Sequence, residues 1–247
     1  MSIDFNDAMS TLLYISMIGE SDVYTPENYT ALCPSGLEKD WIVAWHSPLA
    51  RRFGLNLNAL DICRGDPLPG PDELTAVILG GTIHHILEDR PWIHALTRWL
   101  SAYRATGKPL LGICGGHQLI ATAFFQWPLQ KRKQGIFAGT YPVRLTATGQ
   151  AHPLFRTIPS EPRFHFANND QITPGAHTGP AILAAREDSP VLAVDWGGRW
   201  FSTQFHPESR LETWECVFRN DPDLDTRAYA QEHWGEQFLE NYLDLVM

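Results

Sequence analysis

Two short stretches of this sequence combine residue types that carry out nucleophilic chemistry. Gly112-Ile-Cys114-Gly-Gly116 sets a cysteine among glycines where one apolar run, residues 108–114, gives way to another, residues 117–127. A sharp strand-to-helix turn holds its central residue in a strained conformation and needs small neighbours, so this pattern reads as a nucleophile elbow with cysteine in place of serine. A helix beginning beyond it aims backbone N–H groups and the positive end of its dipole at the sulfur. Such a nucleophile needs a base, and the base needs an orienting group. Gln204-Phe-His206-Pro-Glu208 supplies both. His206 ends the apolar run 199–205, where a strand exposes it at a sheet edge. Pro207 stiffens the link to Glu208, whose carboxylate can hold one ring nitrogen while the other faces the sulfur.

The remaining candidates read more blandly. His84-His85 is a pair of neighbouring loop histidines, expected to be solvated. His84, His85, His94 and His165 lack the spacing of a metal site, so no metal is expected. Gly80-Gly81 and Gly115-Gly116 lack the G-x-G-x-x-G order, and no Gly-x-x-x-x-Gly-Lys loop occurs, so neither a dinucleotide nor ATP is indicated and no cofactor is expected. Lys131-Arg132-Lys133, the one compact basic run, reads as an exposed turn. The cysteines at 33, 63, 114 and 216 form no C-x-x-C and read as reduced thiols, which leaves one of them free to act as a nucleophile.

The elements that must position these residues follow from pattern and length. The chain has 247 residues, 44% of them hydrophobic, enough for a sizeable core, and is expected to form one domain over residues 1–247. A net charge of −9 argues against nucleic acid or an anionic membrane as partner. No apolar stretch approaches the ~18 residues of a membrane span, and residues 1–6 lack the features of a secretory leader, so a cytoplasmic location is expected. Residues 11–17 read as a first strand, 58–63 as a second and 76–79 as a short buried one. Pro91 opens a helix in which Trp92, Ile93, Leu96, Trp99, Leu100 and Tyr103 recur at helical spacing, and Gly107 stands past its end. Strand 108–114 and helix 117–127 follow. Alternating strands and helices with short connections indicate an α/β fold with a largely parallel sheet covered on both faces. Strand-like runs at 140–145, 181–185, 191–196 and 199–205 add antiparallel or mixed pairing, and a helix over about 226–245 closes the chain. Segment 21–48 remains open, since the apolar run 41–45 fits a strand or a buried helix equally.

Gly112-Ile-Cys114-Gly-Gly-His117-Gln118, taken with Gln204-Phe-His206-Pro-Glu208, resembles the class I (triad) glutamine amidotransferases, particularly the subunit that accompanies GMP synthetase and its stand-alone relatives. The similarity extends over nearly the whole chain, including Val77-Ile-Leu-Gly-Gly81 and Glu240-Asn-Tyr-Leu243. It implies a flavodoxin-like α/β fold, a mixed, largely parallel central sheet flanked by helices. It also implies that Cys114 attacks a γ-glutamyl carbonyl and forms a thioester, with His206 and Glu208 completing the triad. By the same resemblance Gly81 and Gly115 supply the oxyanion-hole N–H groups and Gln118 helps hold the substrate. The family's His-Gly-Asp segment, whose surroundings hold the glutamyl α-groups, appears here as Asn168-Asn169-Asp170. Two further departures are Thr82, where the family often has proline after the glycine pair, and Gly115, where it often has a bulky residue after the nucleophile. The small Gly115 suggests a pocket widened around the leaving amine.

Three functions follow from this reading. The first is a glutaminase releasing ammonia to a separate synthetase subunit. The second is a free-standing hydrolase of γ-glutamyl peptides or N-substituted γ-glutamyl amides. The third, disfavoured by an intact triad, is a catalytically silent regulatory relative. Cysteine α/β-hydrolases place the acid before the histidine, unlike Glu208 after His206. Related intracellular proteases commonly carry His directly after the cysteine, where this chain has Gly115.

Overall fold

The computed structural model describes residues 10–176, 179–218 and 225–247; residues 1–6, read above for a leader, lie outside them. In chain order, β1 (Ser10–Ser16) is followed by α1 (Glu38–Arg52), β2 (Leu55–Asp61), β3 (Ala76–Leu79), α2 (Pro91–Ala105), β4 (Leu110–Ile113) and α3 (Gly115–Phe125). Next come β5 (Leu129–Lys131), β6 (Phe137–Pro142), β7 (Arg144–Leu145), α4 (Ala147–Ala151), β8 (Arg163–Asn168) and β9 (Asp170–Ile172). The chain continues through β10 (Ala181–Arg186), β11 (Ser189–Asp195), β12 (Trp200–Thr203), α5 (Leu211–Val217) and α6 (Gly235–Val246).

Eight strands form one sheet in the order β2-β1-β3-β4-β12-β11-β10-β7. Pairing is parallel from β2 to β12 and antiparallel beyond it. This is the mixed, largely parallel α/β sheet expected. Strands β3, β4 and β12 are buried along their whole length, which is why β3 and β4 read as continuous apolar runs rather than alternating ones. Successive side chains point to opposite faces. Leu13, Ile15, Val77 and Leu79 therefore pack with Leu96, Leu100 and Tyr103 of α2 and Ile120 of α3. Leu12, Tyr14 and Ile78 pack on the other face with Trp41 and Leu49 of α1 and Phe238 and Tyr242 of α6. Two small antiparallel ribbons, β5 with β9 and β6 with β8, stand apart from the main sheet. No helix among the described residues is long and apolar enough to cross a membrane.

Several local readings change. Residues 41–45 are helical, inside α1, which continues through Pro48 at the loss of one intrahelical hydrogen bond. Helix α3 starts at Gly115, directly after the cysteine, not at His117. A Cβ on Gly116 would meet the Leu79 carbonyl oxygen at 2.8 Å, so this glycine serves the close approach of helix to β3. The closing helix begins at Gly235 rather than near Thr226. Tertiary bonds hold the preceding chain: Ala230 N–H donates to Thr140 Oγ1 at 2.8 Å, Trp234 N–H donates to the Arg163 carbonyl at 3.0 Å, and the buried Tyr229 ring stacks on Trp214.

The basic run 131–133 is not simply an exposed turn. Lys131 and Lys133 are exposed, but Arg132 is buried. Its guanidinium pairs with Asp188 at 2.9 Å, donates to Gln171 Oε1 at 2.9 Å and to Ser189 Oγ, and lies 4.7 Å from the centre of the Phe137 ring.

Candidate active site

Parallel strands direct their carboxyl ends to one edge of the sheet, where an α/β crevice forms. Ser16 closes β1, Gly80-Gly81 follows β3, Cys114 follows β4 and His206 follows β12. Cys114 caps α3 with φ 48° and ψ −100°, an unusual conformation for a residue with a side chain. Its N–H donates to the Thr203 carbonyl at 2.8 Å, which ties the turn to β12. Gly112, before it, is compelled by the fold, since a Cβ there would lie 2.8 Å from Gly116 backbone atoms.

His206 and Cys114 meet above Gly81, where a Cβ would lie 3.0 Å from His206 Cε1 and 3.7 Å from Cys114 Cβ. His206 Nδ1 donates to Glu208 Oε1 at 2.8 Å, which leaves Nε2, buried and without another hydrogen-bond partner among the described residues, for the sulfur side. Burial opposes a charged ring. The negative charges of Glu208 and Cys114 outweigh it, so the His206 pKa stands well above the usual histidine value. The imidazole is further fixed by the edge of Trp214, with ring centres 5.0 Å apart, and by its own backbone, whose N–H donates to the His165 carbonyl. His46 Nε2 donates to the Glu208 carbonyl at 2.8 Å, so α1 also holds the acid's loop.

Around this pair lies a cavity of about 400 Å³ lined by Gly81, Cys114, Gln118, Asn168, Asn169, Asp170, His206 and Glu208, among others. The cavity wall thus brings together the residues singled out in the sequence for chemistry or substrate contact, Gly115 excepted. Gly115 lies just behind Cys114 rather than on the cavity wall. Among the described residues, the N–H groups of Gly81 and Gly115 have no acceptor. Gln118 Nε2 donates to Gln204 Oε1 at 3.2 Å, and Gln204 Nε2 donates to Cys114 Sγ at 3.4 Å. Asn168 Nδ2 donates to the Asp170 carbonyl at 2.9 Å, while its buried Oδ1 has no partner among the described residues.

Two expectations need correction. A Cβ on Gly115 would lie 2.5 Å from Thr82 Cγ2, so Thr82 already fills the room that the small Gly115 leaves, and the pocket is not widened there. His84 is not solvated: it is buried, and its Nε2 accepts from the Glu20 N–H at 2.9 Å. Its neighbour His85 is exposed. Glu20, Asp22 and His84 also form the one cluster among the described residues with metal-ligand proximity. Arg90 ion-pairs with Glu20 and, at 3.0 Å, with Asp22, so a guanidinium already engages both acids.

Sequence reasoning missed Gln204, whose motif was noted without a role, and also Trp214 and His46. It missed Glu38 as well, a buried acid on the cavity wall from the segment left open. Gln204 stands within the His206 motif itself, whereas only their positions in the fold mark the other three, because no local pattern surrounds them.

Comparison with known proteins adds the family. The profile of the class I glutamine amidotransferases matches residues 72–221. A glutamine-hydrolysing GMP synthase from Thermus thermophilus is 31% identical over 58% of this chain and 23% of its own. A gamma-glutamyl-L-1-hydroxyisopropylamide hydrolase from a Pseudomonas species is 28% identical over 56% of this chain and 48% of its own. The chain therefore spans half or less of the length of these relatives. The crystal structure of a glutamine amidotransferase from Thermotoga maritima superimposes with a TM-score of 0.75 over 96% of this chain and 98% of that one, at 19% identity, a likeness of fold.

Proposed function

The chain belongs to the class I glutamine amidotransferase family, and from that premise we propose that it hydrolyses a γ-glutamyl amide bond through Cys114. The observation that carries this reading is the approach of both Cys114 and His206 to Gly81, with His206 bonded in turn to Glu208 at 2.8 Å. The raised pKa of His206 suits it to hold a proton, and with the pair's proton on the imidazole the sulfur is the nucleophile. The sulfur adds to the γ-carbonyl carbon, and the N–H groups of Gly81 and Gly115 receive the developing oxyanion. Each such donor typically contributes about 3 kcal/mol of transition-state stabilisation. As the C–N bond breaks, His206 gives its proton to the departing nitrogen, which leaves a γ-glutamyl thioester on Cys114. Water then gives a proton to His206 and adds to the thioester carbon. Cleavage of the C–S bond releases glutamate and restores the pair. Gln118, Asn168, Asn169 and Asp170 are assigned to the glutamyl moiety, with the unpaired Asn168 Oδ1 as the atom that supports this placement.

Glutamine is the simplest substrate, its ammonia passing to a synthetase on another chain, in a cytoplasmic setting to which the thiols of Cys33, Cys63 and Cys114 are suited. Residues 1–247 are taken as one catalytic unit, since α6 covers the same sheet that β1 begins. A second reading, hydrolysis of a substituted γ-glutamyl amide, is favoured by the cavity of about 400 Å³, more space than an amino acid requires and within the ~300–1,000 Å³ range of drug-sized sites.

The test is to incubate the purified chain with glutamine and with γ-glutamyl amides, following glutamate release, and to treat it with a glutamine-like electrophile before mass spectrometry. Glutamate release, a label confined to Cys114 and loss of both in a folded Cys114→Ala variant are expected. A label on Cys33, Cys63 or Cys216 instead would overturn the assignment.

A further inference from the structure

The cavity has two ends, and the proposed chemistry accounts for one. Gln118 and Asp170 lie toward β12, through the contacts of Gln118 with Gln204 and with the Asp170 carbonyl. Glu38 lies toward β1, where its Oε2 accepts from Ser16 Oγ at 2.7 Å. In the sheet order β1-β3-β4-β12, Cys114 at the end of β4 falls between these two places. A γ-glutamyl amide with its carbonyl at Cys114 and its glutamyl end at Gln118 therefore sends its amine toward Glu38.

Tyr29, Trp41, Ile42 and Val217, which share one apolar cluster, line that end of the cavity, and Glu38 is the acid set into it. Glu38 is 93% buried by its residual exposure of 7%, and no Lys, Arg or His among the described residues forms an ion pair with it. A carboxylate in such surroundings is costly unless a positive charge joins it. The aromatic rings of Tyr29 and Trp41, stacked with their centres 5.9 Å apart, give this end an apolar wall against which a carbon chain can lie. Burial pushes the Glu38 carboxyl up to about 8 despite the Ser16 hydrogen bond, with the charges of Glu208 and Asp61 adding to the rise. These are the conditions that an incoming ammonium would relieve.

Resting on the hydrolase reading above, we propose that the leaving group is a primary amine bearing a second, cationic amine, whose ammonium pairs with Glu38 while its carbon chain lies against Trp41, Ile42 and Val217. The chemistry is unchanged: the amide nitrogen takes the His206 proton as its bond to the γ-carbonyl carbon breaks, and a free diamine departs.

The experiment compares kcat/KM of the purified full chain on γ-glutamylputrescine, on γ-glutamylbutylamide, which has the same chain without the charge, and on glutamine. A preference of at least tenfold for the charged over the uncharged amide is expected. In Glu38→Gln that ratio should fall toward one, through KM. An uncharged amide turned over as well as the charged one by the wild type overturns the proposal, whether or not the variant folds. So does a loss in Glu38→Gln that is equal for all three substrates, which would place Glu38 against the α-ammonium they share. Glutamine turnover without charge preference defeats this inference alone. No turnover of any of the three, with no label on Cys114, defeats the hydrolase reading together with it.

Discussion

Thr82 stands in the space that a side chain on Gly115 would occupy: a Cβ there would lie 2.5 Å from Thr82 Cγ2 and 2.9 Å from Thr82 N. Two departures from the family pattern, far apart in sequence, are therefore one compensated exchange. Gly115 gives up volume that Thr82 takes, and the backbone following Gly81 stays close to Cys114. Gly115→Ala should displace the 81–82 backbone and lower kcat by about 100-fold, since misplacement by roughly 1 Å at a reacting centre costs that much. Thr82→Gly in the same chain should restore a substantial part. Equal activity of Gly115→Ala and wild type would show that the contact carries no constraint.

Glu208 holds His206 Nδ1 and does not itself touch the sulfur. Glu208→Gln keeps the base in poorer orientation, whereas His206→Ala removes it. Steady-state glutamate release should fall by about 100-fold to 10,000-fold in the first and at least about tenfold further in the second. The reverse order in folded variants would exchange the roles.

His165 is neutral in the folded chain. Trp214 Nε1 donates to its Nδ1 at 2.9 Å, and its Nε2 donates to the Ala230 carbonyl at 3.1 Å, so both nitrogens are committed to the uncharged ring. Burial, with the charge of His206 adding, lowers its pKa to about 4, against 6.5 when unfolded. Between those values the unfolded chain binds more protons, so this contribution to stability is present above pH 6.5 and is lost as pH falls toward 4. At roughly 1.4 kcal/mol per unit the loss is about 3 kcal/mol. Urea unfolding from pH 7 to pH 4 should show it, and His165→Gln should flatten the slope.

Arg132 carries a buried charge with several partners, in contrast to the lysines beside it. Arg132→Ala leaves Asp188, itself partly exposed, without its deepest partner, and should cost about 2–4 kcal/mol. Lys131→Ala and Lys133→Ala should stay within about 0.5 kcal/mol. Thermal or urea denaturation of the three variants separates these cases, and a similar cost for all would contradict the burial of Arg132.

The elements legible in the sequence are those whose signal is local. The helical repeat behind Pro91, the apolar runs of β3 and β4 and the glycines flanking Cys114 each sit within a few residues of what they specify, because backbone sterics and burial periodicity act over one turn or one strand. Glu208 was legible beside His206 for the same reason, being two residues away. What the sequence could not disclose depends on partners distant along the chain. Residues 226–234 are kept out of the closing helix by bonds to Thr140 and Arg163, Arg132 is drawn inward by Asp188 and Ser189, and His84 is buried against the Glu20 backbone. Thr82 and Gly115 exchange volume across the turn, and Glu38 reaches the cavity only because α1 packs over the end of β1. Side-chain volume and charge are matched in three dimensions, so these relationships were decided when the sheet assembled and brought its strand ends together.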